Sequence, residues 1–148
     1  MIVIDVESLR QPCSDVESLD EVKEIIAKLQ EELNNSGLQG KPGIGLAAPQ
    51  IGIHKNIAII RINDVGRRSF SFNLINPKLH DSRLAAFFEG EGCLSFPSMY
   101  KRVYRYQEIC VSNHIEGKVF EKFVVTGLPA VVAQHEYDHL VGKLLIDN

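Results

Sequence analysis

The segment 134–140 constrains this chain most, because it carries two histidines four residues apart with a glutamate directly after the first. On a helix, positions i and i+4 lie on one face about 5–6 Å apart at Cβ, so His135 and His139 are placed to bind one metal ion. Glu136 lies about 100° round the helix, near enough to reach a water molecule on that ion. The pattern H-E-x-x-H is a signature of metal-dependent hydrolysis. The segment therefore predicts a hydrolytic metal site on a helix.

The helix that carries these histidines is expected to be buried on the same side as they are. Its apolar and histidine positions follow one stripe, so both imidazoles point inward. Inward histidines are often core residues bonded to carbonyl groups, and that reading would suit a single one. Burying Glu136 beside two imidazoles costs several kcal/mol unless a divalent cation compensates the charge, which favours metal binding. The positions of the stripe are Leu128, Val131, Val132, His135 and His139.

A catalytic site usually needs a third protein ligand besides water, and the upstream chain offers several. Cys93 stands out because Gly92 before it permits close backbone approach. Taken alone, however, a cysteine is more often a small buried apolar residue. Cys13 and Cys110 are predicted to be core or surface residues. The remaining candidates, which are predicted to face solvent, are His54, His80 and His114.

Composition limits the classes of protein that this chain can belong to. Its length of 148 residues suits one domain, predicted to span 1–148. A net charge of −3 gives no general attraction to nucleic acid, and no apolar run approaches the ~20 residues of a membrane span. The basic and aromatic stretch 100–106 is better explained as a solvated strand than as a nucleic-acid surface. Three scattered cysteines favour a reducing cytoplasm over a disulfide framework.

The order of elements predicts an α+β fold. A capping box at Ser18 and Glu21 begins an amphipathic helix over 19–34. Residues 1–17 are expected to be irregular, and a glycine-rich loop is expected from 37 to 52. Pro129 and Gly142 bound the last helix at 128–140. Strands are predicted at 56–62, 70–75, 83–88, 102–112, 118–125 and 143–147. The resulting fold class is antiparallel sheets packed around the C-terminal H-E-x-x-H helix, plus an N-terminal amphipathic helix.

Three segments together resemble the peptide deformylase family. They are the glycine-rich segment 43–50, the Glu-Gly-Cys-Leu-Ser segment 91–95, and the histidine segment 134–139. Their order and spacing match those of the family, as does the helix before the first segment. The resemblance covers most of the chain from about residue 18.

The resemblance implies a role for each matching residue. Cys93, His135 and His139 match the metal ligands, and Glu136 matches the general acid and base. Gln50 and the backbone N–H of Leu94 match the oxyanion donors, and Gly45 is grouped with these catalytic positions. The residues assigned to substrate binding are Gly43, Ile44, Glu91, Gly92, Leu128, Val131 and Val132. The three last-named are equally explained as ordinary core, and the two roles are compatible.

The same resemblance implies the reaction, cofactor and partners. The family removes the formyl group from N-formylmethionine at the start of new polypeptides, so nascent N-formylmethionyl chains are the expected substrate. One divalent metal ion is expected, with Fe²⁺ physiological and Zn²⁺ or Ni²⁺ as substitutes. No membrane or direct nucleic-acid partner is expected. The family's C-terminal ribosome-docking helix has no counterpart here, so ribosome docking is not expected. The expected location is the bacterial cytoplasm, or that of a bacterial host if the chain is phage-encoded.

The residues themselves support the same chemistry. Glu136 would accept a proton from water, and Gln50 and Leu94 would bind the oxyanion of the intermediate. Asp138 is predicted to pair with Arg105 and so to support the histidine beside it. Two other readings stay open at this point: a general metallopeptidase, and a non-catalytic metal-binding module.

Overall fold

The structure, a computed structural model, describes residues 2–36, 43–63 and 69–148, without the side chains of residues 43, 44, 63, 69, 97 and 98. The α-helices lie before and after a run of six strands, and the predicted α+β fold class is confirmed. No helix in these ranges is both long and apolar enough to cross a lipid bilayer. The elements are α1 (Val6–Leu9), α2 (Leu19–Asn35), β1 (Gly43–Ala47), β2 (Ile57–Asn63), β3 (Ser69–Ile75), β4 (Lys78–Cys93), β5 (Phe96–Ile115), β6 (Lys118–Thr126) and α3 (Leu128–Leu140), with 3-10 turns at Ala48–Ile51 and Leu145–Asp147.

Two antiparallel sheets form the body of the protein. The first has the order β1-β2-β3 and the second the order β4-β5-β6. The pair β5-β6 turns at Glu116 and Gly117, both of which have positive φ, as a tight hairpin requires. The long pair β4-β5 is interrupted by register shifts, including one after His80. Register shifts thus occur along the strand that leads to Cys93, and a further one lies between Asn113 and His114 in the β5-β6 pair.

Strand β2 separates two apolar clusters and explains how both helices are held. Its side chains alternate, as on any strand, so that Ile57 and Ile59 join a cluster built on α2. Ala58, Ile60 and Ile62 join the other cluster, which is built on α3. Each fully buried aliphatic side chain contributes about 1.5–3 kcal/mol, so this strand anchors both helices. The histidine helix α3 is consequently fixed against β1, β2 and β5.

Helix α2 begins at its predicted cap, and its apolar face is buried as the sequence predicts. Ser18 caps it by accepting the backbone N–H of Glu21, and the Glu21 carboxylate accepts the N–H of Glu17. The apolar face of the helix is buried through Val22, Ile25, Leu29 and Leu33. The observed bounds, Leu19–Asn35, extend the prediction by one residue.

Some sequence predictions differ from the structure. Residues 1–17 are not wholly irregular, since Asp5 caps the short helix α1. The loop predicted at 37–52 contains β1 and a 3-10 turn from residue 43 onward, while 37–42 lie outside the described residues. The strand predicted at 143–147 is wrong: Asp147 accepts the N–H of Leu144 and pairs with Arg10, which closes a 3-10 turn instead. The strand predicted at 83–88 is only the middle of β4.

Candidate metal centre and active site

Cys93, His135 and His139 bring their ligand atoms together at one point. All three atoms lie within 4.8 Å of one another, and Cys93 Sγ is 3.3 Å from His139 Nε2. A tetrahedral ion with metal–sulfur and metal–nitrogen bonds of about 2.3 and 2.0 Å separates such atoms by roughly 3.5 Å. One thiolate and two neutral imidazoles are donors that divalent iron, nickel and zinc accept. The residues therefore fit a single divalent cation.

The three ligands come from two elements that the fold brings together. His135 and His139 follow each other by one turn of α3, with ring centroids 5.0 Å apart. Cys93 is the last residue of β4, and it pairs with Phe96 across a tight turn into β5. The turn extends from the sheet and presents the thiol to the helix. The site is thus assembled where the β4-β5 turn meets α3.

Glu91 holds one of the histidines in place. Its Oε1 accepts a hydrogen bond from His135 Nδ1 at 2.7 Å, which leaves Nε2 of that ring for the ion. Its carboxylate also receives two bonds from the Arg105 guanidinium, with Nε 2.9 Å from Oε2. Burial alone would raise the pKa of Glu91, but bonds from His135 and Arg105 outweigh it and lower the pKa to about 2. Glu91 is therefore a permanent anion behind the metal ligand.

Arg105 connects this anion to the last turn of α3. Its Nη1 donates to Asp138 Oδ2 at 2.6 Å, so the guanidinium lies between two carboxylates and is itself almost completely buried. The structure places the side chains of the predicted Asp138–Arg105 pair in direct contact. Glu91, which was predicted to bind substrate, has its carboxylate occupied by Arg105 and His135. Its side chain therefore orients His135 here.

The carboxylate of Glu136 is buried and incompletely bonded. Its Oε1 has no hydrogen-bond partner among the described residues, and the side chain is 2% exposed. Burial raises the pKa of Glu136 to about 7, against the opposing charge of His135. A buried orphan carboxylate is costly unless a ligand completes it. A buried carboxylate with an unpaired oxygen, on the residue next to the ligand His135, is suited to accept a proton from water.

Gly45 makes room for that carboxylate. A Cβ atom added to Gly45 would lie 2.6 Å from Glu136 Cγ, well inside contact distance. Strand β1 and helix α3 pack together at this point, so only a glycine lets the two backbones approach so closely. The structure therefore places Gly45 against the proposed base, and this contact explains the need for a glycine at that position.

His139 is suited to stay neutral. Burial, together with the positive charges of His135 and Arg105, lowers the pKa of His139 to about 3. A neutral imidazole is the form that binds a metal ion. Its Nδ1 is also buried without a hydrogen-bond partner in the described part of the chain.

Gln50 lies beside the thiol in a fixed orientation. Its Oε1 accepts the backbone N–H of Ala47 at 3.0 Å, which leaves the amide nitrogen facing the site. Nε2 then lies 3.2 Å from Ser95 Oγ and 3.5 Å from Cys93 Sγ. Leu94 follows Cys93 directly, so its backbone N–H belongs to the same turn. Ser95 accepts a hydrogen bond from Gln50. The sequence assigned no role to Ser95, although it lies within the segment 91–95.

The residues predicted to bind substrate differ in their burial and in what they contact. Leu128 is half-buried at the start of α3, and Val131 is buried one turn before His135. Val132 instead packs against the second apolar cluster, so it faces the core. The side chains of Gly43 and Ile44 lie outside the described ones, and Gly92 is an exposed strand residue that faces the Tyr100 ring.

The other histidines, which were predicted to face solvent, are partly exposed, and each has a hydrogen-bond partner. His54, His80 and His114 are all half-buried. Their ring nitrogens face, respectively, Ser8 O at 3.0 Å, Asp81 Oδ2 at 3.1 Å and Asn76 O at 3.1 Å. Cys110 is buried, as predicted for a core residue, and Cys13 is half-buried with a pKa that burial raises to about 11.

Known proteins are similar to this chain in sequence and in fold. The profile of the polypeptide deformylase family matches residues 1–148. Peptide deformylase 2 of Nitrosomonas europaea is 36% identical over 143 residues, covering 95% of this chain and 72% of its own length. Peptide deformylase 2 of Bacillus cereus is 36% identical over 148 residues, covering 96% of this chain and 80% of its own.

Solved structures agree with the sequence relatives. A probable peptide deformylase from the Synechococcus phage S-SSM7 superposes with a TM-score of 0.83 at 34% identity, covering 99% of this chain and 97% of that one. Peptide deformylase from Thermotoga maritima gives a TM-score of 0.78 at 31% identity, covering 100% of this chain and 95% of that one. These matches do not favour a general metallopeptidase or a non-catalytic module. The chain belongs to the polypeptide deformylase family of metal-dependent enzymes.

Proposed function

We propose that this deformylase releases formate from N-formylmethionyl peptides with Glu136 as general base and with Cys93, His135 and His139 as the metal ligands. The buried carboxylate of Glu136, with an unpaired Oε1 on the residue next to the ligand His135, is the observation that supports the assignment best. A general base works best when its pKa lies near the operating pH, and burial brings the pKa of Glu136 to about 7.

The chain's own residues divide the reaction between them. A divalent ion in this site supplies Lewis acidity, which lowers the pKa of a water molecule toward about 7. The Glu136 carboxylate accepts a proton from the attacking water as the water oxygen bonds to the formyl carbon, and it returns the proton to the leaving amine as the C–N bond breaks. Gln50 Nε2 and the Leu94 N–H donate to the oxygen that becomes negative, and removal of one such donor costs on the order of 3–4 kcal/mol.

The neighbouring charges prepare the site for this step. Glu91 orients His135 and remains ionised, while Arg105 balances the charge of Glu91 and Asp138. The hydrogen bond between His135 Nδ1 and Glu91 fixes the imidazole ring, so that Nε2 points away from Glu91. Such orientation of a ligand histidine by a carboxylate commonly raises metal affinity 10–100-fold.

The proposed substrate is the formylated amino terminus of a nascent polypeptide. Leu128 and Val131 form an apolar approach to the metal from the start of α3, and an unbranched methionine side chain fits such a wall. We propose Fe²⁺ as the physiological ion and the bacterial or bacterial-host cytoplasm as the location, since both follow from the family's chemistry with newly made chains.

One experiment tests the assignment directly. The parent and Cys93→Ser are assayed together for metal content and for formate released from a formyl-Met peptide, with an unformylated peptide as control substrate. The parent is expected to hold one ion at this site and to release formate only from the formylated peptide. Cys93→Ser is expected to lose both properties. Full formate release by Cys93→Ser with no bound ion would overturn the proposed ligand set.

A further inference from the structure

A second group of metal-ligating side chains lies on the β4-β5-β6 sheet. The ligand atoms of His80, Asp81 and Cys110 all lie within 4.8 Å of one another. This trio shares no residue with the Cys93 site, and the reaction described above uses none of the three. Thiol, imidazole and carboxylate are the three side-chain types that bind zinc in proteins.

The trio depends on an irregularity in β4. His80 pairs with Cys110 across the strands, so both side chains stand on one face of the sheet. The next paired residues are Arg83 and Glu108, so Asp81 and an extra residue face Ile109 alone. This is a β-bulge, and Asp81 has a φ of 52° within it. In a regular strand Asp81 would point to the opposite face, whereas the bulge brings its carboxylate beside His80.

The contacts of His80 are those expected of a metal-binding histidine whose ring is oriented by a neighbouring residue. Its Nδ1 lies 3.1 Å from Asp81 Oδ2, close to the roughly 3.5 Å that separates two ligand atoms on a tetrahedral ion. Its other nitrogen, Nε2, faces Ser112 Oγ at 3.3 Å. Ligand histidines regularly donate their second N–H to such an oxygen, which fixes the ring.

The residues around the trio leave space for an ion, and the charges on the site are balanced. A cavity of about 440 Å³ lies on this face and is lined by Asp81, Arg83, Glu108 and Cys110 among others. Arg83 is paired with Glu108 at 3.4 Å, so the Arg83 charge is already compensated within the cavity. One thiolate, one carboxylate and one neutral imidazole together balance the two positive charges of a zinc ion.

We propose that His80, Asp81 and Cys110 form a second divalent-metal site, which takes Zn²⁺ or Co²⁺ and leaves a fourth position to solvent. The ion bridges β4 and β5 across the bulge. Because it lies outside the Cys93 site, its loss leaves deformylation unchanged. This proposal stands independently of the assignment of the catalytic residues.

Cobalt titration with matched cysteine variants tests the proposal. Co²⁺ bound to a thiolate gives a near-ultraviolet charge-transfer band, so each site can be counted by absorbance and by metal analysis after gel filtration. The parent and Cys13→Ser are expected to bind two ions per chain. Cys110→Ser is expected to bind one and to release formate at the parent rate. Cys93→Ser is expected to keep the Cys110 band.

The half-buried His80 and the exposed Asp81 provide a second test that does not alter the buried cysteine. His80→Gln and Asp81→Asn are each expected to weaken the second ion at least tenfold with unchanged formate release. An ion count and a Co²⁺ band that are the same in the parent, Cys110→Ser and His80→Gln would overturn the proposal. Weak binding that low millimolar salt removes from parent and variants alike would show an adventitious ion only, and would overturn it as well.

Discussion

The Glu136 side chain packs against the backbone of Gly45, in the space that a side chain at position 45 would occupy. Any Cβ at position 45 would overlap the Glu136 side chain, with Cγ only 2.6 Å away. The strand that carries Gly45 and the helix that carries Glu136 are both anchored in apolar clusters, so neither backbone has freedom to retreat. The position of the proposed base is consequently set by a residue on another element.

Gly45→Ala should therefore reduce activity by displacing Glu136. We expect formate release to fall on the order of 100-fold, because small misplacements of a reacting group are costly. Overpacking should also lower the free energy of unfolding by about 1–3 kcal/mol. Gly92→Ala is the matched strand control for stability, since its Cβ would meet only the exposed Tyr100 ring, which can move aside. Equal loss of stability in the two variants would contradict this explanation.

Glu136→Gln should separate proton transfer from metal binding. The amide keeps the shape of the side chain but accepts no proton, so turnover should fall about 10²–10⁴-fold. Metal content should stay at the parent level, because the three ligands are unchanged. Glu31→Gln, an exposed change of the same chemistry on α2, is the control and should leave both quantities unaltered. Parent-level turnover in Glu136→Gln would remove Glu136 from the role of base.

The Glu91 carboxylate should make the metal-free protein sensitive to acid. The pKa of Glu91 falls from 4.5 when unfolded to about 2 when folded, so its ionised form stabilises the folded state. That contribution is complete above about pH 4.5 and is lost as the pH falls toward about 2. At 1.36 kcal/mol per pKa unit, it amounts to about 3 kcal/mol.

Urea unfolding of the metal-free protein at several pH values measures this contribution. Glu91→Gln should be less stable than the parent at pH 7, and the difference should shrink as the pH is lowered from 4.5. Glu89→Gln is the control on the same strand, because Glu89 pairs with Arg102 at the exposed surface. A stability difference between parent and Glu91→Gln that does not vary with pH would show that lost packing, rather than charge, is responsible.

Oxidation should inactivate the iron form selectively. Fe²⁺ on the Cys93 thiolate offers two oxidisable centres, whereas Zn²⁺ resists oxidation and Ni²⁺ is not expected to be oxidised under these conditions. Peroxide treatment should abolish formate release by the iron-loaded enzyme within a time that leaves the zinc and nickel forms active. Cys13→Ser should behave as the parent, since burial raises the pKa of Cys13 to about 11 and keeps it protonated. Equal sensitivity of all three metal forms would argue against iron oxidation as the cause.

Local signals in the sequence were sufficient for both long helices. Ser18 and Glu21 form the predicted cap of α2, and Pro129 begins α3 where the first turn tolerates it. The full length of β4 could not be predicted, because positive φ at Asp81, Leu84 and Gly90 interrupts the alternation that marks a strand. Such bulges depend on pairing with β5, and a single strand's sequence does not reveal its partner.

The site was predictable in its residue types but not in all its contacts. The spacing of His135, Glu136 and His139 on one helix face carries the metal prediction, whereas Cys93 needed the family resemblance. The attachment of Glu91 to His135 arises only when β4 reaches α3, so the carboxylate was assigned to substrate instead. Tertiary contacts of this kind leave no periodic pattern in the chain.

The buried charges around Arg105 determine when the ion can enter. Because Glu91, Arg105 and Asp138 already tie the β4-β5 turn to α3 through protein atoms alone, the receptacle is shaped before any ion arrives. We therefore expect loading to follow folding, in contrast to small zinc-dependent domains, which fold only as they bind the ion. We expect that one ion can accordingly be exchanged for another while the chain keeps its native form.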